Sequence, residues 1–169
     1  APVAWSLPDR VLRLDRPYIM GIVNVTPDSF YDGGRYTDAQ AAVDHGLQLV
    51  DEGADILDIG GQSSRPGSHE IPEEEETRRV LPVVEGLRAH TNVPLSIDTY
   101  RAEVARACSH AGATIVNDIR GLRGEDALLE LIADERLAAV AMHMRGMPET
   151  MQQSICYDDL VGEVLWFLA

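Results

Sequence analysis

In this sequence, short apolar runs of strand type alternate with segments of helical period, and each run ends in polar residues. Tyr18-Ile-Met-Gly-Ile-Val-Asn24, Ala54-Asp-Ile-Leu-Asp-Ile-Gly60, Pro94-Leu-Ser-Ile-Asp98, Ala113-Thr-Ile-Val-Asn117 and Leu137-Ala-Ala-Val-Ala-Met-His143 are the five strand runs. Between them, Thr37-Asp38 predicts the cap of a helix over Ala39 to Glu52, with Gly53 at its C-terminal turn. A second helix opens at Pro72. Its Glu73 to Glu76 read as a solvated first turn, and Val80, Leu81, Val84 and Leu87 form an apolar stripe that Pro82 should kink. Thr99 predicts the cap of a third helix ending at Gly112. A fourth spans Asp126 to Asp134 with Leu128, Leu129, Leu131 and Ile132 inward, and a fifth begins at Asp158.

Repeated β-α units predict a parallel sheet buried on both faces. Two architectures satisfy that pattern, an open doubly wound sheet and a (β/α)₈ barrel. The doubly wound sheet expects a Gly-x-Gly-x-x-Gly turn after the first strand, and none occurs. Function spread over the ends of successive strands is the habit of the TIM barrel. Asn24, Asp58, Asp98, Asn117 with Asp118, and His143 sit at or just past such ends. A full barrel takes about 250 residues. The expectation is therefore a TIM barrel cut short after about five β/α units, forming one domain over residues 1–169. The Trp5 to Asp15 segment before it should be a hairpin or plug.

The net charge of -14 disfavours nucleic acid and anionic membrane as partners. All 14 basic residues are Arg. Cys108 and Cys156 fit two free thiols in a reducing cytoplasm. No apolar run reaches the roughly 18 residues of a membrane span, and Ala1 to Arg16 has no apolar signal-peptide core. His45, His69, His90 and His110 show no metal-ligand spacing.

The strand-end segments carry the chemistry. In Asn24-Val-Thr-Pro-Asp-Ser-Phe-Tyr-Asp-Gly-Gly34, the Asn24 carboxamide oxygen suits a hard cation such as Mg²⁺, although a polar surface loop explains the turn formers equally well. In Asp58-Ile-Gly-Gly-Gln-Ser-Ser-Arg-Pro-Gly67, Gly60 and Gly61 permit close backbone approach to a ligand, and Ser63, Ser64 and Arg65 offer donors for an anion. Asp98 and Asn117 place a carboxylate and a carboxamide on neighbouring strand ends, a pair suited to a flat heterocycle with an amidine-like edge. Met142 suits packing against such a ring, while His143 reads as a packed histidine.

The ordered segments NVTPDSFYDGG, DIGGQSSRPG, SIDT, VNDI and MHMRGMPETMQ resemble the dihydropteroate synthase family from about Val3 onward. That resemblance implies a (β/α)₈ barrel. It also implies condensation of 6-hydroxymethyl-7,8-dihydropterin diphosphate with p-aminobenzoate, cytoplasmic folate biosynthesis and a sulfonamide target. Asn24 would be the Mg²⁺ ligand. Asp98 and Asn117 would bind the pterin, with Asp58 in support and Met142 packing nearby. Thr26, Asp28, Ser29 and Phe30 of the first loop, and Ser64, Arg65 and Pro66 of the second, would serve the diphosphate and p-aminobenzoate. The catalytic set implied is Asn24, Asp98 and Arg65, and the family's homodimer would use later helices.

The sequence departs from the family pattern in three ways. The second loop usually reads Glu-Ser-Thr-Arg-Pro-Gly, whereas Gln62 and Ser64 stand here, and Arg145 replaces a common Gln. The family's later strands add another pterin-binding Asp, a Lys, and Ser-Arg-Lys and Arg-x-His segments, while this sequence contains no Lys. The 169-residue chain alone is therefore expected to have negligible synthase activity. A methyltetrahydrofolate-binding methyltransferase domain would share the Asp and Asn pair without the two long loops. A paralogue or fragment that binds pterin without chemistry, or binds nothing, would tolerate Gln62.

Overall fold

The computed structural model describes residues 3–25, 35–62, 70–146, 150–151 and 155–169, without the side chains of 35–38. Strands β1 (Ala4–Ser6) and β2 (Val11–Arg13) pair antiparallel as the expected hairpin. Five strands follow: β3 (Met20–Asn24), β4 (Ile56–Gly60), β5 (Leu95–Asp98), β6 (Ile115–Asp118) and β7 (Ala138–Ala141). They form one parallel sheet in the order β3-β4-β5-β6-β7. Consecutive strands are therefore always neighbours. A doubly wound sheet instead reverses its strand order at a switch point. This is the arrangement of successive β/α units in a TIM barrel.

The connecting helices are α1 (Arg35–Asp51), α2 (Glu73–His90), α3 (Ala102–His110) and α4 (Asp126–Glu135), followed by α5 (Leu160–Leu168). One face of the sheet, carried by Val23, Leu57, Ile59, Leu95, Ile97 and Val116, packs against buried residues of α1 to α4. The period-two alternation of a strand sends the intervening residues to the opposite face. There Ile56, Ile115 and Ala138 cluster with Leu7, and Trp5 and Leu12 of the hairpin pack onto them. The hairpin thus plugs the face near the N-terminal ends of the strands and leaves the C-terminal ends free. Among the described residues no helix is long and apolar enough to cross a membrane.

Several local expectations are corrected. Helix α1 starts at Arg35, so Thr37 and Asp38 lie inside its first turn. Helix α2 runs unbroken through Pro82, which is exposed, so its missing N–H falls on the solvent side. Thr99 does not cap α3. Its Oγ1 accepts from the Arg101 N–H at 3.2 Å, and the Ala102 N–H donates to Glu125 Oε2 at 2.9 Å. A carboxylate distant in sequence but adjacent in space has taken the capping role. On α4, Leu128 and Leu131 are buried while Leu129 is exposed, because the helix contacts the rest of the chain along a narrower stripe than the apolar sequence suggested.

Candidate functional site

The parallel register sorts the open face into two rows that cross all five strands. Ile22, Asp58, Ser96, Ile115 and Ala138 are successive partners in the lower row. Asn24, Gly60, Asp98, Asn117 and Val140 form the upper row. Asn24, Asp98 and Asn117, singled out from the sequence, are therefore held at one height on one face. Asp58 lies one row below and accepts a hydrogen bond from Asn117 Nδ2 at 2.9 Å. Met142 follows Val140 by two residues, and its N–H extends the ladder by donating to the Asp118 carbonyl at 3.1 Å. Its side chain is 36% exposed.

Burial makes this floor costly for negative charge. Asp98 is pushed up to about 7, first by desolvation and then by the charges of Asp58, Glu76 and Asp118. Desolvation also raises Asp58, against the opposing pull of Ser96 and Asn117. Ser96 favours the charged form from the next strand, yet neither its Oγ nor Asp58 Oδ1 closes a hydrogen bond among the described residues, although both atoms are buried. Buried acceptors without donors are uncommon in folded proteins. The arrangement therefore suits a guest that brings N–H groups to the carboxylates.

Two adjacent glycines do different jobs. A Cβ on Gly60 would lie 3.3 Å from Asp98 Oδ2 and 3.8 Å from Asn24 Oδ1, so its missing side chain keeps the space between those oxygens open. A Cβ on Gly61 would come within 2.7 Å of Val80 Cγ1 and 3.3 Å of the Glu76 carbonyl. The expectation that both glycines serve a ligand is thus corrected: Gly61 is required by the close approach of α2 to the strand.

Asp118 is fully buried and fixes the turn after β6 by accepting from the N–H groups of Arg120 at 2.7 Å and Leu122 at 2.8 Å. His143 is packed, as read from the sequence. Its ring meets Phe167 edge-on at 4.9 Å, and its Nε2 lies 3.6 Å from Glu163. Arg145 also pairs with Glu163, at 2.5 Å.

A second polar cluster beside the floor was not recognised from the sequence. Glu76, expected in solvent, is 2% exposed and pairs with Arg101 at 2.6 Å. Burial raises its pKa against the opposing effects of Thr99 and Arg101. Arg101 also donates to the Ile71 carbonyl at 2.7 Å, and Arg79 donates to the Gly61 carbonyl at 3.1 Å. Gln62, Glu70, Tyr100 and Arg120 complete the cluster. The only prior signal was an Arg or Tyr one or two residues past a strand end, which is too common to single out.

Of the residues expected at the site, Asn24, Asp58, Asp98, Asn117 and Met142 are brought to one end of one face. Thr26, Asp28, Ser29, Phe30, Ser64, Arg65 and Pro66 lie outside the described residues.

Comparison with known proteins agrees with this fold. Residues 20–169 match the family model of the pterin binding enzymes. The chain is 46% identical over 154 residues to a dihydropteroate synthase of Synechocystis, covering 91% of this chain and 53% of that protein. A Xanthomonas albilineans dihydropteroate synthase solved with 4-aminobenzoic acid superposes with a TM-score of 0.88 at 52% identity, over 99% of this chain and 59% of the other. The same organism's enzyme in complex with 7,8-dihydropteroate gives a TM-score of 0.82 at 49% identity, over 98% and 57%. The chain belongs to the pterin binding enzyme family. It spans a little over half the length of the relatives it matches.

Proposed function

We propose that the protein carrying this chain is a dihydropteroate synthase. It would join 6-hydroxymethyl-7,8-dihydropterin diphosphate to p-aminobenzoate, giving 7,8-dihydropteroate and diphosphate. The observation that carries this reading is the in-register row of Asn24, Asp98 and Asn117, with Gly60 leaving the space between Asn24 and Asp98 open. Asp98 accepts the paired N–H groups of the pterin edge, donors that favour its charged form against the desolvation that raises its pKa. Asn117, oriented by Asp58, presents both a donor and an acceptor to the ring. Met142 covers one side of it.

Departure of diphosphate leaves a positively charged methylene, stabilised by the ring nitrogens of the pterin. The arylamine is already a free nucleophile near neutral pH, so positioning supplies most of what the protein must add. No general base is assigned. The Asn24 carboxamide oxygen is a hard donor beside Gly60, which fits Mg²⁺ as the ion near this end of the sheet. When bound, such an ion neutralises charge on the leaving diphosphate. Ser64 and Arg65, as polar and cationic donors, are assigned to the diphosphate and p-aminobenzoate. The fold matches of enzymes solved with 4-aminobenzoic acid and with 7,8-dihydropteroate support the same substrate class. A cytoplasmic location, a homodimeric whole protein and the family's standing as a sulfonamide target belong to this proposal as well.

Calorimetry with the pterin diphosphate and Mg²⁺, followed by p-aminobenzoate, tests it. Tight binding of the first, binding of the second only afterwards, and loss of both in Asp98→Ala are expected. Binding of methyltetrahydrofolate in place of the diphosphate, or of no pterin at all, would refute the assignment.

A further inference from the structure

Gln62, Glu70, Tyr100 and Arg120 touch one another but belong to neither row of the floor. Gln62 and Glu70 flank residues 63–69 in sequence. Gln62 Oε1 accepts from the Ile71 N–H at 3.2 Å, so its side chain ties one stem of that segment to the other. Gln62 Nε2 donates to Tyr100 OH at 3.3 Å, and Tyr100 OH donates to Glu70 Oε1 at 2.9 Å. Arg120 donates to the same Glu70 oxygen at 2.6 Å and lays its guanidinium 3.5 Å over the Tyr100 ring. Tyr100 is only 7% exposed. The Tyr100 hydroxyl therefore links Gln62, just after β4, to Glu70, just before α2.

The direction of this chain of hydrogen bonds follows from chemistry. An amide nitrogen only donates, an ionised carboxylate only accepts, and a phenol donates one proton while accepting another. Gln62 supplies the donor that leaves the single Tyr100 proton for Glu70. A Glu at position 62 would set two carboxylates against that one proton.

We propose that Tyr100 is a positioning residue. Its hydroxyl joins Gln62 to Glu70, sets the spacing of the two stems, and so governs capture of the aromatic amine without affecting the pterin floor. The second half of this statement rests on the synthase reading above; the first half does not.

Tyr100→Phe keeps the ring against Arg120 and removes the hydroxyl. Gln62→Glu keeps an acceptor for Ile71 and removes the donor. Amide hydrogen exchange at Ile71 reports the tie between the stems whatever the protein catalyses. In Tyr100→Phe, where Gln62 loses the hydroxyl that holds its side chain in place, Ile71 should exchange about tenfold faster, whereas Gln62→Glu keeps the Ile71 acceptor and should not speed it, and Val116 in the sheet stays unchanged in both. KM for p-aminobenzoate in the whole protein should rise roughly 3- to 10-fold with kcat and the calorimetric Kd for pterin diphosphate held within about twofold. Unchanged Ile71 exchange in Tyr100→Phe, an unchanged KM for p-aminobenzoate, or a parallel loss of pterin affinity overturns the proposal. Wild-type protein that binds no pterin refutes the synthase reading instead, and Ile71 exchange in the variants still decides whether Tyr100 joins the stems.

Discussion

The Asn117 side-chain amide reaches past β5 to donate its N–H to Asp58 Oδ2 at 2.9 Å. Only the nitrogen end of a carboxamide can donate to a carboxylate, so this one bond fixes which way Asn117 points. Its oxygen and second N–H are then presented to whatever occupies the upper row.

Asp58→Asn removes that instruction, because an amide partner accepts either orientation of Asn117. Pterin affinity should fall by about tenfold, the value of roughly one charge-assisted hydrogen bond. The melting temperature should hold or rise, since a buried carboxylate with one unpartnered oxygen is lost. Calorimetry and thermal melting together check this, and a wild-type Kd in the variant would show that Asn117 is oriented by something else.

Asp98 makes binding and stability respond to pH in opposite senses. Its carboxyl titrates near 7, well above its ordinary value of 3.8. A ligand that donates N–H groups needs the ionised form. Pterin affinity should therefore be constant above about pH 8 and fall below pH 7, approaching tenfold per pH unit. The raised pKa means the folded state holds this proton more tightly than the unfolded chain. Its stabilising contribution is complete below pH 3.8 and is lost as pH rises through 7. Asp98→Asn should accordingly raise the melting temperature at pH 8, leave it unchanged near pH 4, and abolish tight pterin binding. An Asp98→Asn protein that melts lower than wild type at pH 8 would contradict this account.

The two glycines separate function from packing. Gly60→Val should fill the gap between Asp98 and Asn24 and cost pterin affinity by at least about 100-fold, the scale of 2–3 kcal/mol of overpacking. Gly61→Ala presses on Val80 and the α2 backbone and should cost roughly 1–3 kcal/mol of stability with little change in Kd. Urea denaturation and calorimetry on the same two variants measure both effects.

Glu125 should matter to α3 although it lies beyond β6. Glu125→Ala removes the acceptor for the Ala102 N–H and should cost about 1 kcal/mol. Glu125→Gln retains an acceptor and should lose less than half of that. Equal stability of all three proteins in urea would rule out the cap.

The strands and the polar residues at their ends were legible in the sequence because both follow from local rules. A strand alternates its side chains whatever surrounds it, so Asn24, Asp98 and Asn117 could be placed at strand ends before any fold was known. The order of those segments also carried the family resemblance. What the sequence could not settle was which distant groups would meet. Glu76 looked like one of four solvated carboxylates until Arg101 was folded against it. Thr99 looked like the helix cap, yet Glu125 accepts from the Ala102 N–H at the start of α3. Gly60 and Gly61 look alike as letters and differ only in what stands opposite each backbone. Periodicity, capping preference and motif order are properties of neighbours in the chain, so the sequence by itself determined the β/α repeat and the strand-end residues. Ion pairs, long-range caps, raised carboxyl pKa values and the Tyr100 cluster depend on desolvation and on contacts between residues far apart in the chain. The parallel register decided those, by bringing five strand ends to one height.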